Sequence, residues 1–340
     1  MKALNYPDYD KLEIRNDLPQ PEIRDPREVI VRIAACGISE SEIESFKTRD
    51  GHRRPPLIMG HEFCGTIEEV GTQASPWVPG QKVVSNAFVS CGACVRCDRG
   101  DSHLCGRLQV FGTHRPGAFA EYVNVPTSAL FHWPDTLSAE QACLADPLAN
   151  AVHVVNLIKH LVPRKILILG GGPLGLMCQQ ACQILLEADT VVVDPNEDRL
   201  HLANLLGAQA AFNPHEKDTV KTLLDLTVGE GMDLVIDTQV SALTAKQSLD
   251  VLRPGGAAVC VGLCENETRL KTNDIIFADK IVYGSYLAKP EEVQLALDLM
   301  VNGEVKTDSW VKSFSLDHGV QAFLRMVAGK GDDIKAVLKP

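Results

Sequence analysis

The hydrophobic positions along this chain follow two patterns, and the change from one to the other falls near residue 145. Before it, short apolar runs at 29–34, 66–71 and 81–84 alternate with proline and glycine breaks, which is typical of short strands. After it, helical segments alternate with apolar strand candidates that begin near residues 166, 190, 210, 233, 257 and 281. This alternation predicts a doubly wound parallel sheet, and the whole chain is therefore expected to be α/β.

The end of the chain returns to a mixed pattern, with an amphipathic helical segment at 291–301 and a short apolar run at 336–338. We expect this tail to rejoin the β-rich first part. The predicted domains are then 1–144 together with 286–340, and 145–285 as the parallel-sheet domain. A ligand is expected in the cleft between the two domains.

A glycine-rich turn lies at the start of the predicted parallel sheet. An apolar strand is followed by Gly170, Gly172 and Gly175, which fit the pattern G-x-G-x-x-G, and then by a helical segment that ends at Leu186. Glycines in this pattern allow a tight turn, close approach of a pyrophosphate and close packing of helix on strand. The helix N-terminus offers free N–H groups and partial positive charge to the phosphates. The alternative is an ordinary glycine turn, but the flanking strand and helix favour a dinucleotide site.

The next apolar run ends on an acid, Asp194, about 20 residues after the last glycine, as this motif requires. Its carboxylate would accept hydrogen bonds from the adenosine ribose hydroxyls. Its negative charge would repel a 2′-phosphate. The sequence therefore predicts NAD rather than NADP as the cofactor.

Four cysteines lie within one short loop of the first part of the chain. The loop has the spacing C-x2-C-x2-C-x7-C and contains Cys91, Cys94, Cys97 and Cys105. Four thiolates suit a tetrahedral zinc and leave no open position for chemistry, so this spacing predicts a structural zinc site. The alternative, a loop of free thiols, would give no packing reason for so many cysteines together.

Composition narrows the function classes further. The chain has 340 residues, 45% of them hydrophobic, and a formal net charge of −11, which disfavours nucleic acid and anionic membranes as partners. No apolar run reaches the roughly 18 residues of a membrane span, and the N-terminus has no signal-peptide pattern. Eleven cysteines in such a chain indicate a reducing compartment, and we expect a cytoplasmic protein.

These motifs converge on one family. Together with Gly-His-Glu at 60–62, Gly-Ala-Phe-Ala-Glu-Tyr at 117–122, Asp-Pro-Leu-Ala at 146–149 and Arg-Pro-Gly-Gly at 253–256, they make the chain resemble the zinc-containing medium-chain alcohol dehydrogenases. The closest resemblance is to their polyol (sorbitol-like) and threonine dehydrogenase branch. It implies a GroES-like β-rich catalytic domain plus a Rossmann domain, a homodimer or homotetramer, and hydride transfer between NAD and a small-molecule alcohol or carbonyl.

The resemblance also implies roles for particular residues. Ser41 matches the hydroxyl that relays the substrate proton. His61, Glu62 and Asp146 match metal ligands or residues beside the metal, where a second zinc polarises the substrate oxygen in such enzymes. The expected cofactor-binding residues are Gly170, Gly172, Pro173, Leu174, Gly175, Asp194, Arg199, Val261 and Gly262.

The second zinc site is where the chain departs from the family pattern. Ser39 stands where the family has its ligand cysteine, Cys36 matches a cysteine that is not a ligand, and Glu44 replaces the usual histidine. A serine hydroxyl is a far poorer zinc ligand than a thiolate. His61 and the two carboxylates would hold zinc more weakly, or would serve as proton donors and substrate hydrogen-bonders without it.

Three functions are compatible with these residues. The first is an NAD-dependent dehydrogenase acting on the secondary alcohol or ketone of a polyol, sugar or amino-alcohol. The second is a medium-chain reductase without catalytic zinc, acting on an activated or conjugated carbonyl or an iminium. The third is a non-catalytic cofactor-binding relative. Zinc content distinguishes the first two, and turnover distinguishes both from the third.

Overall fold

The structure is a computed structural model that describes residues 1–49, 52–329 and 333–340. The chain forms two compact units, Met1–Ala149 with Leu287–Pro340, and Asn150–Tyr286. We call them unit 1 and unit 2. In the described ranges, no helix is long and apolar enough to cross a membrane.

The strands in chain order are β1 (Ala3–Asp8), β2 (Lys11–Arg15), β3 (Glu28–Gly37), β4 (Leu57–Ile58), β5 (Glu62–Val70), β6 (Lys82–Ser85), β7 (Phe88–Val89), β8 (Gln109–Val110), β9 (Tyr122–Pro126), β10 (Leu130–His132), β11 (Lys165–Leu169), β12 (Asp189–Val193), β13 (Ala210–Phe212), β14 (Met232–Asp237), β15 (Leu252–Cys260), β16 (Ile281–Gly284), β17 (Val311–Ser315) and β18 (Lys335–Lys339). The α-helices are α1 (Glu40–Thr48), α2 (Val95–Asp98), α3 (Ala139–Ala142), α4 (Ala145–Ile158), α5 (Pro173–Leu186), α6 (Glu197–Leu205), α7 (Thr219–Leu226), α8 (Ala242–Val251), α9 (Thr272–Ile276), α10 (Pro290–Val301) and α11 (Gly319–Ala328).

Unit 1 is the expected β-rich unit. Its main sheet has the order β10-β6-β5-β3-β18-β17, with β9 also pairing with β3, and smaller sheets have the orders β2-β1-β4 and β7-β8. The C-terminal strand β18 pairs antiparallel with β3, at Val337 with Gly37 and Leu338 with Cys36. The end of the chain therefore lies in the main sheet of unit 1.

Strand β3 leads directly into the loop that contains Ser39. Its sequence, EVIVRIAACG, is almost continuously apolar, and most of it is buried, because β5, β9 and β18 pair with it. A strand buried in this way needs apolar side chains on both faces. The strand ends at Gly37, so Ser39 and α1 emerge directly from the rigid centre of the sheet.

Unit 2 is a six-stranded parallel sheet in the order β13-β12-β11-β14-β15-β16. All six strands lie where the hydrophobic pattern predicts them. One start differs, because β15 begins at Leu252 and includes the turn residues 254–256, with a register shift against β14. The chain order reverses between β11 and β14, which is the position where ligands bind in open parallel sheets.

Candidate active site and zinc centre

Ser39 is the N-cap of helix α1. Its Oγ accepts from Ser41 N at 3.3 Å, and the carboxylate of Glu42 accepts from Ser39 N at 3.0 Å. The two residues form a capping box, in which each side chain satisfies a backbone N–H group of the first helical turn. The residue at the family's ligand position therefore has a local structural role that does not depend on metal.

Glu42 connects this helix start to His61. It is fully buried, and its Oε1 accepts from Gly60 N at 2.9 Å and lies 2.9 Å from His61 Nδ1. Burial disfavours both charged forms, but the pairing prevails and holds the pKa of Glu42 below, and that of His61 above, its ordinary value. One carboxylate thus bonds to both Ser39 and His61, which makes these two residues close neighbours.

Glu62 is engaged by a lysine from the opposite end of the chain. Lys335 Nζ, on β18, forms a buried ion pair with Glu62 Oε2 and donates to Ile38 O at 2.8 Å. Burial alone would lower the pKa of Lys335, but the Glu62 carboxylate raises it. A buried charge without its partner is costly, so this pair is difficult to separate.

Asp146 lies at the start of α4, and its carboxylate is buried. Its Oδ1 accepts from Ala87 N at 3.2 Å. Burial raises the pKa of Asp146 to about 6, although His61 acts in the opposite direction. His61 and Asp146 are therefore close enough for their charges to interact.

Ser41 lies beside Ser39 with an arginine against it. The two hydroxyl oxygens are 3.1 Å apart, and both residues are half-buried. Arg53, which is buried, donates from Nη2 to Ser41 Oγ at 3.0 Å and from Nη1 to Ser41 O at 2.8 Å. Because the guanidinium occupies one lone pair of Ser41 Oγ, the hydroxyl proton is directed to another acceptor.

The donor set at this place does not fit a tightly held zinc. A neutral hydroxyl replaces the thiolate, and Glu62 is paired with Lys335. In the part of the chain that the structure describes, His61, Glu62 and Asp146 do not form a group of ligand atoms within 4.8 Å of one another. Cys36 is buried, and burial raises the pKa of its thiol well above the usual range. The weak site expected from the sequence stays a prediction.

The four-cysteine loop does fit a zinc ion. The ligand atoms of Cys91, Cys94, Cys97 and Cys105 all lie within 4.8 Å of one another. Three sulfur–sulfur distances are 3.5, 3.8 and 4.0 Å. A tetrahedron with zinc–sulfur bonds of about 2.3 Å has edges of about 3.8 Å, so these distances match four-thiolate coordination.

Hydrogen bonds to sulfur support the thiolate form in this loop. Arg107 donates from Nη2 to Cys91 Sγ at 3.2 Å and from its backbone N to Cys105 Sγ at 3.3 Å. The backbone N–H of Cys97 is the largest of the influences that lower the pKa of Cys94 to about 6. Zinc binds thiolates, so these donors favour the form that holds the metal.

The glycine turn in unit 2 has the close packing that the motif requires. A Cβ at Gly175 would lie 1.9 Å from Gly170 O, so only glycine lets the start of α5 pack against the end of β11. Gly172 is the N-cap of α5, and Pro173 and Leu174 form its first turn. The backbone N–H groups of this turn and the helix N-terminus make an anion-binding position.

Asp194 is tied to the same turn. It is buried at the end of β12, and its Oδ2 accepts from Gly171 N at 2.7 Å and lies 3.4 Å from Arg199 Nη1. Val261 and Gly262 follow β15, and both donate their backbone N–H to Asp237 O. The residues expected to bind the cofactor thus lie after β11, β12 and β15, at the carboxyl edge of one sheet.

The sequence reasoning missed three residues of the unit 1 site, Glu42, Arg53 and Lys335. A signal for Glu42 was present, because Ser39-Glu40-Ser41-Glu42 matches the S-x-x-E signature of a capping box. Lys335 had no comparable signal. It lies 273 residues from its partner Glu62, and nothing local in the sequence relates the two.

Comparisons with known proteins agree with this arrangement. The family model of the alcohol dehydrogenase GroES-like domain matches residues 25–135, and that of the zinc-binding dehydrogenases matches residues 173–302. L-threonine 3-dehydrogenase of Pyrococcus furiosus is 32% identical, over 98% of this chain and 97% of its own length.

Two solved structures cover this chain completely. Alcohol dehydrogenase from Aeropyrum pernix has a TM-score of 0.92 at 27% identity, with 100% of its own chain covered. A protein from Sinorhizobium meliloti 1021, solved with bound NADP, has a TM-score of 0.90 at 30% identity, with 99% of its chain covered. The chain is thus similar to dehydrogenases over both of its units.

Proposed function

Because this chain belongs to the zinc-containing medium-chain alcohol dehydrogenase family, and is an NAD(P)-dependent oxidoreductase of an alcohol, we propose that its cofactor is NAD. The observation that carries this choice is Asp194, a buried carboxylate beside the glycine turn. A 2′-phosphate on the adenosine ribose would approach that negative charge. The NADP bound by the Sinorhizobium meliloti protein makes this assignment one to test directly.

Replacing Asp194 tests the cofactor assignment. We expect Asp194→Ala to weaken NADH binding about tenfold or more and to narrow the preference for NADH over NADPH. The variant loses both an acceptor for the ribose hydroxyls and the negative charge that repels a 2′-phosphate. Asp194→Asn is the matched variant of similar size, since it keeps one acceptor oxygen for Gly171 N and removes the charge together with the oxygen that accepts from Asn196 N. Fluorescence titration with both cofactors measures the preference. A wild type that prefers NADPH would contradict the proposal.

We propose as substrate a small molecule with a secondary alcohol or ketone, in the class of polyols, sugars and amino-alcohols. Among these classes we favour amino-alcohols as the substrate, because the relatives similar over nearly the whole chain include several L-threonine 3-dehydrogenases. In the oxidation, the carbon-bound hydrogen leaves as hydride to the nicotinamide, and the hydroxyl proton leaves to a protein group.

Ser41 is the proposed first acceptor of that proton. Its hydroxyl is half-buried and already accepts a hydrogen bond from Arg53, whose positive charge stabilises negative charge on Ser41 Oγ. Ser41 would take the substrate proton as it passes its own proton to Ser39 Oγ, 3.1 Å away, which would pass a proton on to water. His61, Glu62 and Asp146 are the proposed residues around the substrate or a weakly bound metal. The four cysteines would hold the structural zinc, which cross-links the loop and takes no part in the reaction.

Turnover tests the dehydrogenase. Purified protein with NAD is assayed on a panel of secondary alcohols that includes L-threonine, sorbitol and 2,3-butanediol, and NADH formation is recorded. We expect oxidation of at least one class and slower turnover with NADP. If NADH binds but nothing on the panel or its ketones turns over, the non-catalytic reading is the better one.

The capping role of Ser39 and the Lys335–Glu62 pair favour a second candidate, a reductase that works without catalytic zinc. A conjugated carbonyl or an iminium needs less polarisation of its acceptor atom than an alcohol oxidation does. NADH consumption with such acceptors, undiminished by a chelator, would support this candidate over the first.

We also propose that the chain forms a homo-oligomer, a dimer or a tetramer, through unit 2. Strand β16 is the edge strand of the parallel sheet, and it exposes Ile281 and Val282, while the neighbouring Phe277 is 83% exposed. An exposed apolar edge strand is a surface that soluble proteins normally cover. A second copy of the same strand would cover it.

A further inference from the structure

We propose that Gln239 binds the nicotinamide half of the dinucleotide. This inference rests on the proposed function, since it assumes that unit 2 holds the cofactor. Gln239 was not among the residues that the sequence motifs indicate. Its position in the sheet and the contacts of its side chain carry the argument.

The position of Gln239 is at the reversal of strand order. The residues after β11 and after β14 face each other there, and ligands of open parallel sheets bind outside these carboxyl ends. Gly170 follows β11, and Thr238 and Gln239 follow β14. Asp194 follows β12, on the other side of β11. The glycine turn thus has Asp194 on one side and Gln239 on the other.

The side chain of Gln239 lies directly against the glycine turn. A Cβ built on Gly170 would be 2.6 Å from Gln239 Nε2 and 2.3 Å from Thr238 Oγ1. A Cβ on Gly262, after β15, would be 2.5 Å from the carbonyl carbon of Gln239. The carboxamide therefore lies against the end of β11, and the backbone of Gln239 lies against the end of β15. Both of these strand ends carry expected cofactor-binding residues.

The backbone at Gln239 is fixed, while its carboxamide has only long contacts. Asp237 Oδ1 accepts from Gln239 N at 3.0 Å and from Val240 N at 2.8 Å. By contrast, Nε2 lies 3.4 Å from Thr238 O and 3.5 Å from Thr238 Oγ1, at the limit for a hydrogen bond. A half-buried amide of this kind is placed to donate to a ligand instead.

The order of the strands decides which half of the ligand Gln239 meets. The carboxylate of Asp194 suits the adenosine ribose, and the glycine turn suits the pyrophosphate. A dinucleotide laid across these two positions continues toward β14, so its second ribose and nicotinamide reach Gln239. The amide would donate from Nε2 to a ribose hydroxyl or to the carboxamide oxygen of the nicotinamide.

Binding of cofactor fragments to the full chain tests this assignment without a substrate. The probes are ADP, which lacks the second ribose, ADP-ribose and NADH. We expect Gln239→Leu, which keeps the size and removes the amide, to weaken NADH binding about tenfold and to leave ADP binding unchanged. Gln239→Met, of similar length, serves as a second variant. Gln209→Leu, an exposed glutamine before the edge strand β13, is the matched control.

Asp194→Ala should give a different pattern, because it should weaken the binding of both ADP and NADH. Equal affinities of Gln239→Leu and wild type for all three probes would overturn the proposal. So would an equal loss for ADP and NADH, since that result would mean that Gln239 only shapes the turn. Failure of the wild type to bind any of the probes would instead contradict the proposed function, which is a distinguishable result.

Discussion

Purified wild-type protein is expected to hold one tightly bound zinc per chain, and Ser39→Cys is expected to bring that number close to two. The thiolate is the reason for the difference. A cysteine ionises near neutral pH when metal binds, whereas a serine hydroxyl stays neutral and is a weak zinc donor. In the variant, a thiolate would join His61 and Asp146.

The position of residue 39 supports this gain of zinc on geometric grounds. The carboxylate of Glu42 bonds to both Ser39 N and His61 Nδ1, so the new thiolate would lie near the imidazole. The same change removes an N-cap hydroxyl, which costs about 0.5–2 kcal/mol of stability. The free energy of zinc binding in the variant has to exceed this loss of stability.

Elemental analysis before and after mild chelation measures the zinc content per chain of the wild type and of Ser39→Cys. Ser39→Ala is the matched control, because it removes the cap without adding a thiolate, and it should keep one zinc. Two zinc ions per wild-type chain that resist chelation would contradict the prediction and show that the oxygen-rich set is sufficient. If the metal limits catalysis, Ser39→Cys should also raise the rate of alcohol oxidation.

Cys94→Ser is expected to release the structural zinc and to lower the thermal stability of the protein. The loop around it has little core of its own, since none of the residues of α2 is buried. Zinc is then the main cross-link of this segment, as in small zinc-dependent domains. If loss of this cross-link is comparable with loss of a disulfide, it costs roughly 2–5 kcal/mol, which in a chain of 340 residues lowers Tm by roughly 3–7 °C.

Zinc content and thermal unfolding are measured on the same samples. Cys260→Ser, a half-buried cysteine of unit 2, is the control and should keep its zinc. The relative affinity for NADH and NADPH should not change in Cys94→Ser, because the cofactor residues lie in the other unit. Full zinc content and an unchanged Tm in Cys94→Ser would refute a structural metal site.

The helix cap at residue 39 has a signature in the sequence, whereas its contact with His61 does not. The loss of the ligand cysteine was visible in the sequence, and so was the S-x-x-E pattern, which explains why serine suits this position. The pairing of Glu42 with His61 needs the loop and β5 side by side, and that depends on the sheet.

The sequence by itself determined the features that depend on local spacing. Hydrophobic periodicity located the strands of unit 2, the glycines marked the turn before α5, and the four cysteines were close enough along the chain to meet in one loop. Each of these features is set by residues close together in the chain. Their geometry therefore follows from the backbone conformations and ligand distances of a short segment.

Only the tertiary structure decided which residues that are distant in the chain come into contact. Lys335 reaches Glu62 because β18 pairs with β3, and Gln239 meets Gly170 because β14 lies beside β11. Such contacts depend on strand order and register, which no local pattern encodes. A buried carboxylate needs a partner, but the sequence does not specify which distant cation supplies it.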